Sequence, residues 1–224
     1  MQAHARIGDL GLTRSEYATL KRLNTTEKIQ CFVYELKQNF EPDGDSCRTV
    51  RTVLREGSAH CIEGAMVAAC AFWVNGMPPL LFDLRAVRDY DHVVALYRRG
   101  GCWGVISKTN GSVLRSRDPV YRSLRELAMS YFHEYANRHG ERTLREYSVP
   151  YDLRRLSPAI WVTGEEDCWE VGNALDAARH YRLMTPAQLR RLTKRDAFEQ
   201  RAGDLLQYPK PKPRAKSVRK KATA

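Results

Sequence analysis

The sequence has no C-x-x-C pair. Its six cysteines, Cys31, Cys47, Cys61, Cys70, Cys102 and Cys168, are scattered, which argues against zinc ribbons and dithiol redox motifs. It also has no leader-like start: Met1 to Leu20 is polar and mixed in charge. A cytoplasmic location is therefore expected, where disulfide frameworks are disfavoured. Long hydrophobic runs are missing as well. The longest uninterrupted one, Ala65 to Val74, falls far short of the ~20 residues that a membrane-spanning helix needs, so no membrane partner is expected. A helical zinc-protease signature is incomplete, because His133-Glu134 opens like H-E-x-x-H but Asn137 stands where the second ligand belongs. Neither a metal nor a cofactor is expected, and there is no internal repeat.

What is abundant is positive charge, and its position matters more than its amount. The chain of 224 residues carries a net charge of +11. Seven of those charges sit between Tyr208 and Ala224, which holds Lys210, Lys212, Arg214, Lys216, Arg219, Lys220 and Lys221 and no acid. Interleaved Pro209, Pro211 and Pro213 oppose a regular helix there, so a disordered basic tail over 208–224 is expected. It can contact nucleic acid or an acidic partner weakly, but no aromatic stacking platform accompanies it.

The remaining sequence, in a chain 43% hydrophobic, is long enough for one substantial core. Thr13 and Glu16 have the capping-box spacing, predicting a short helix to about Leu23. Ile29, Phe32, Val33 and Leu36 share one face of a second helix starting near Thr26. After a loop over Asn39 to Cys47, a helix is expected from about Ala59 to Val74, with Ser58 as its cap and Asn75-Gly76 as its stop. Being apolar nearly all round, it must be buried. Strands follow over Leu80 to Leu84, His92 to Arg98 and Cys102 to Lys108, the last two joined at Gly100-Gly101 as a hairpin. Asp118-Pro119 reads as the start of a helix to about Ala136. Leu144 to Tyr151 and Ala159 to Thr163 read as strands, and Glu170 to Tyr181 and Pro186 to Arg201 as helices. Four regions are expected: N-terminal helices over 1–38, a core over 39–165, a helical extension over 166–207 and the tail. Trp73, Trp103 and Trp161 read as core aromatics.

One constellation carries chemistry. Cys61 falls in the first turn of the buried helix, where free backbone N–H groups and the positive helix end favour a thiolate. His92, at the start of the hairpin's first strand, can supply the base if the sheet packs on that helix. His60 is assigned no role, since adjacent helical residues point about 100° apart. Upstream, Asn39 is a secondary candidate for an oxyanion donor.

These residues carry a resemblance. Ala59-His60-Cys61 with Glu63-Gly64-Ala65, Asp91-His92-Val93-Val94-Ala95-Leu96-Tyr97 and Trp103-Gly104-Val105-Ile106-Ser107 resemble bacterial members of the transglutaminase-like cysteine protease superfamily over about Asn39 to Asn137. The resemblance implies an α+β fold with a papain-like core, in which the cysteine-bearing helix packs on an antiparallel sheet. It also implies thioester chemistry on the amide of a protein or peptide: hydrolysis, deamidation or transfer to an amine. Some family members have lost catalysis, so the alternative is an inactive fold serving as a protein- or nucleic-acid-binding module. The sequence departs from the family where an aspartate usually orients the histidine; Ser107 stands there. A two-residue Gly100-Gly101 turn places Ser107 diagonally on the face of His92. A three-residue turn brings Asn110 to that face instead, and Asn110 is the preferred third residue, beside Cys61 and His92.

Overall fold

A computed structural model describes residues 4–42 and 44–211. The expected tail beyond Pro211 lies outside the described residues. In chain order the elements are α1 (Ile7–Leu10), α2 (Arg14–Arg22), α3 (Thr26–Glu35), β1 (Lys37–Gln38), α4 (Val50–Glu56), β2 (Ser58–Ala59), α5 (Cys61–Val74), β3 (Leu80–Ala86), β4 (His92–Arg99), β5 (Cys102–Ile106), β6 (Arg117–Tyr121), α6 (Leu124–Met129), β7 (Leu144–Ser148), β8 (Tyr151–Asp152), α7 (Pro158–Trp161), α8 (Trp169–Ala177), β9 (His180–Arg182), α9 (Pro186–Leu189) and α10 (Ala197–Gly203). The chain is thus of mixed helix and strand, with helices packed on an antiparallel sheet of order β6-β5-β4-β3-β7-β9, β8 pairing β3.

Strand periodicity explains how this sheet is covered on both sides. Along β4, Val93, Ala95 and Tyr97 join the apolar cluster around α5, while Val94 and Leu96 join the opposite cluster with Leu127, Tyr131 and Tyr135. Successive side chains of a strand alternate faces, so a strand buried on both sides reads as one continuous apolar run. Helix α5 lies on β4 and β3, with α2, α3 and α4 around it. From Gly64 to Phe72 every residue of α5 is buried, which makes it the axis of the core.

Two glycine-dependent contacts place the site. Gly100 and Gly101 both have positive φ, at 59° and 82°, giving the tight two-residue turn whose twist matches its strands. Its ladder pairs Arg99 with Cys102 and Ala95 with Ile106. At Gly64 a Cβ would lie 2.5 Å from Cβ of Lys108, so only glycine lets the first turns of α5 abut the chain beyond β5.

Several elements differ from the sequence expectation. The long helix begins at Cys61, and its cap is His60, because Ser58 and Ala59 form β2, parallel to β1. Asp118 to Val120 belong to edge strand β6, where Pro119 needs no ladder N–H, and the helix behind them is short, capped by Ser123. Ala159 to Thr163 is not a strand: Ser157 caps α7, with Pro158 in its first turn. The expected C-terminal helices are α8 followed by strand β9, then the separate short helices α9 and α10. Helix α4 was not anticipated. Trp161 is fully buried and stacks on Trp73 at 6.1 Å between ring centroids.

Candidate active site

At the end of the sheet where β4 begins and β5 ends, a cavity of about 440 Å³ opens onto the start of α5. Cys61, His60, His92, Gln38, Lys108, Thr109 and Asn110 line it, with Asp89, Tyr90 and Asp91 on one rim and Leu114, Glu134, Tyr135 and Leu206 around the rest. Cys61 is half-buried in the first turn of α5. His60 and His92 line the same cavity beside it. Burial by itself raises a thiol's pKa, but hydrogen bonding and positive charge from His60 and His92 outweigh it and hold Cys61 well below the ordinary cysteine range.

His92 is oriented by Ser107. The ring Nε2 lies 2.8 Å from Ser107 Oγ, and the Ser107 hydroxyl donates to the Leu114 carbonyl at 2.6 Å. A hydroxyl has one proton, so with it committed to Leu114 the Oγ accepts from Nε2–H. The other ring nitrogen, Nδ1, is then the one left to exchange a proton in the cleft. Two further contacts hold this arrangement. Gln30 brackets Ser107, accepting from its N–H and donating to its carbonyl, both at 3.0 Å. Leu114, at φ 59°, is in a conformation that a branched residue rarely adopts; its N–H donates to Glu134 Oε2 at 2.7 Å, and Glu134 pairs with Arg117 at 2.6 Å.

The expected third residue is not the one that meets His92. Asn110 exchanges two hydrogen bonds with the Tyr208 backbone, donating from Nδ2 at 2.9 Å and accepting at Oδ1 at 2.8 Å. The physical reason is register: the two-residue turn, continued past the ladder, sets His92 opposite Thr109 and leaves Ser107 diagonal on the same face. Tyr208 is consequently part of the folded body, and the first residue assigned to the tail is held by its neighbours.

His60 corrects a second expectation. It is not helical: at φ −100° and ψ −169° it is extended, so the 100° helical offset does not apply and its ring lines the same cavity as Cys61. Its Nε2 donates to the Ser46 carbonyl at 2.9 Å and lies 3.3 Å from Glu63 Oε1 and 3.6 Å from Glu41 Oε1. Burial opposes the charged ring, yet hydrogen bonding with Cys61 and Glu63 raises its pKa to about 11. Glu63 is fully buried and accepts from the N–H groups of His60 at 2.9 Å and Arg48 at 3.0 Å, from Ser46 Oγ at 3.1 Å and from Asn39 Nδ2 at 3.2 Å. Despite burial, hydrogen bonding and charge from the His60 ring, with the N–H groups of His60 and Arg48, lower its carboxyl to about 2. Asn39 is therefore bound to Glu63 rather than facing the cleft, and the neighbouring Gln38 faces it instead. A Glu three residues after a helix cap is a legible signal; with His60 as cap it would have pointed to this pair.

Lys108 is fully buried beside the site. It donates to the Leu36 carbonyl and lies 5.3 Å from the Tyr208 ring centroid; burial, then Arg115, lowers its pKa to about 8. Among the described residues, one group of carboxylates, Asp83, Asp91 and Asp176, is close enough to hold a cation. Arg85 already lies 4.0 Å from Asp91 and 3.7 Å from Asp176, supplying the opposing charge. No helix among the described residues is long and apolar enough to cross a membrane. The sequence matches no protein-family model and no curated protein.

Proposed function

We propose that the chain is a cysteine-dependent acyl-transfer enzyme of transglutaminase-like type, acting on an amide of a protein or peptide. The observation that carries this reading is a half-buried sulfur at a helix start that shares one cleft with two imidazoles. Cys61 is the nucleophile. His92 takes its proton on Nδ1, and the thiolate attacks the amide carbonyl. The oxyanion that forms meets the backbone N–H groups of the first turn of α5, which have no intrahelical acceptor. Gln38 stands in the same cleft to add a side-chain donor. Imidazolium His92 then protonates the leaving amine, leaving a thioester on Cys61. Water, or an amine in the transferring mode, is deprotonated by His92 and releases the acyl group. His60 acts as a fixed positive charge that favours the thiolate, with Glu63 balancing it inside the fold; charge stabilisation of this kind needs no proton transfer from His60.

The test is the pH dependence of iodoacetamide alkylation. Wild type is expected to show one fast thiol reacting well below the free-cysteine pKa of ~8.5, and Cys61→Ala to lose that phase alone. A fast phase that survives in the variant, or a wild type whose thiols all titrate as ordinary cysteines, would mean an inactive fold of the binding kind. As a chemical complement, an activated ester such as p-nitrophenyl acetate should leave an acetyl adduct on Cys61.

A further inference from the structure

Away from the cleft, the two buried cysteines of the loop before α4 and of the α8 cap lie side by side. Cys47 Sγ and Cys168 Sγ are 3.8 Å apart, and each residue is 1% exposed. The backbones are tied to each other at the same positions: Cys168 N–H donates to the Cys47 carbonyl at 2.7 Å, and Cys47 N–H donates to Asp167 Oδ1 at 3.0 Å. Their thiols are also turned toward one another's backbone, Cys168 Sγ donating to the Cys47 carbonyl at 3.0 Å. A disulfide needs Cα atoms roughly 4.4–6.8 Å apart and sulfurs about 2.05 Å apart. The direct backbone bond holds the two main chains close together, and the sulfurs at 3.8 Å have about 2 Å left to close.

The pair is connected to the candidate site by its neighbours in sequence. Ser46 and Arg48, on either side of Cys47, hold the His60–Glu63 pair: the Ser46 carbonyl receives His60 Nε2, and Ser46 Oγ and Arg48 N–H donate to Glu63. We infer that Cys47 and Cys168 are a disulfide-forming site, and that the bond, when formed, staples the segment gripping His60 and Glu63 to the start of α8. The oxidant is a small-molecule disulfide. One cysteine thiolate attacks it and releases one small thiol; the second cysteine displaces the other from the mixed disulfide. Two electrons pass from the protein to the reagent, one S–S bond forms as one breaks, and both protons leave on the two released thiols. Hydrogen bonding with the Cys168 thiol, then burial, keep the Cys47 proton tightly held, so the exchange is expected to be fast during refolding and slow in the folded protein.

The full chain, reduced and unfolded, is refolded in oxidised and reduced glutathione and mapped without reduction. The expected result is a Cys47–Cys168 linked peptide and a fall of two in free thiols from the six the chain carries. Cys47→Ser and Cys168→Ser should each lose the linkage, and the wild-type map stands without either variant if one fails to fold. Absence of the linked peptide from the refolded protein, or pairing of Cys47 with a different cysteine, would overturn the inference. The consequence for the site rests on the reading of Cys61 as an activated thiol, and is read separately: fast alkylation of Cys61 should persist to higher urea in the oxidised protein than in the reduced one. Linkage without that difference would sever the staple from the site while leaving the disulfide standing; no linkage would remove the disulfide whatever Cys61 does.

Discussion

Ser107 and Asn110 are three residues apart, yet only one touches His92. Ser107→Ala removes the acceptor of Nε2–H and leaves the ring free to turn. Loss of one hydrogen bond of about 1–1.5 kcal/mol predicts a roughly tenfold fall in the Cys61 alkylation rate near neutral pH, with the protein still folded by circular dichroism. Asn110→Ala should leave that rate within about twofold and should instead speed proteolysis in the 205–208 segment that it anchors. Glu63 contributes to the acid limit of the fold. Its carboxyl is held near 2 against an ordinary 4.5, so the stabilisation it provides is fully present above pH 4.5 and is lost as pH falls from there towards 2. That shift corresponds to about 3 kcal/mol. Glu63→Gln should destabilise the protein at pH 6 by a similar amount and remove this acid limb from the urea midpoint measured against pH. It leaves His60 without its counter-charge, the costly way to break a buried pair.

Helix α5 and hairpin β4–β5 were legible as elements because each announces itself locally. An apolar run of helical length between a cap and an Asn-Gly stop has one packing solution, and two β-rich runs around Gly100-Gly101 have another. Their approach is readable only in three dimensions, and Gly64 tests it. In an ordinary helix interior, glycine to alanine stabilises by about 1 kcal/mol. Here the sign should reverse, because the new methyl would meet Lys108 at 2.5 Å; overpacking predicts a net loss of roughly 1–3 kcal/mol in urea unfolding. Elements misread from sequence share another cause. The stripe from Val120 to Tyr135 suits one helix, but Val120 lies in edge strand β6 and is exposed, and Tyr131 and Tyr135 are buried in the turns beyond α6. Periodicity reports which residues are apolar, and tertiary packing decides whether one element or three present them.

At the scale of the whole molecule, stability is concentrated around one axis. Strands β3, β4 and β5 are buried between two apolar clusters, and α5 lies within one of them. Helices α9 and α10 contain no buried residue. Amide exchange is therefore expected to be slowest in α5 and the central strands and fastest in α9 and α10, reflecting local opening near the low end of the free-energy range. By itself the sequence placed Cys61 in the first turn of a buried helix and His92 at the start of a neighbouring strand, because burial and strand alternation are local rules. It also left two hairpin registers open. Only the tertiary structure decided between them, since a one-residue slip of a strand exchanges its faces. Only the tertiary structure, too, brought His60, Glu63 and the Ser46–Arg48 segment around the sulfur, because these contacts are set by the chain's turn into α5 and by packing across long sequence separations.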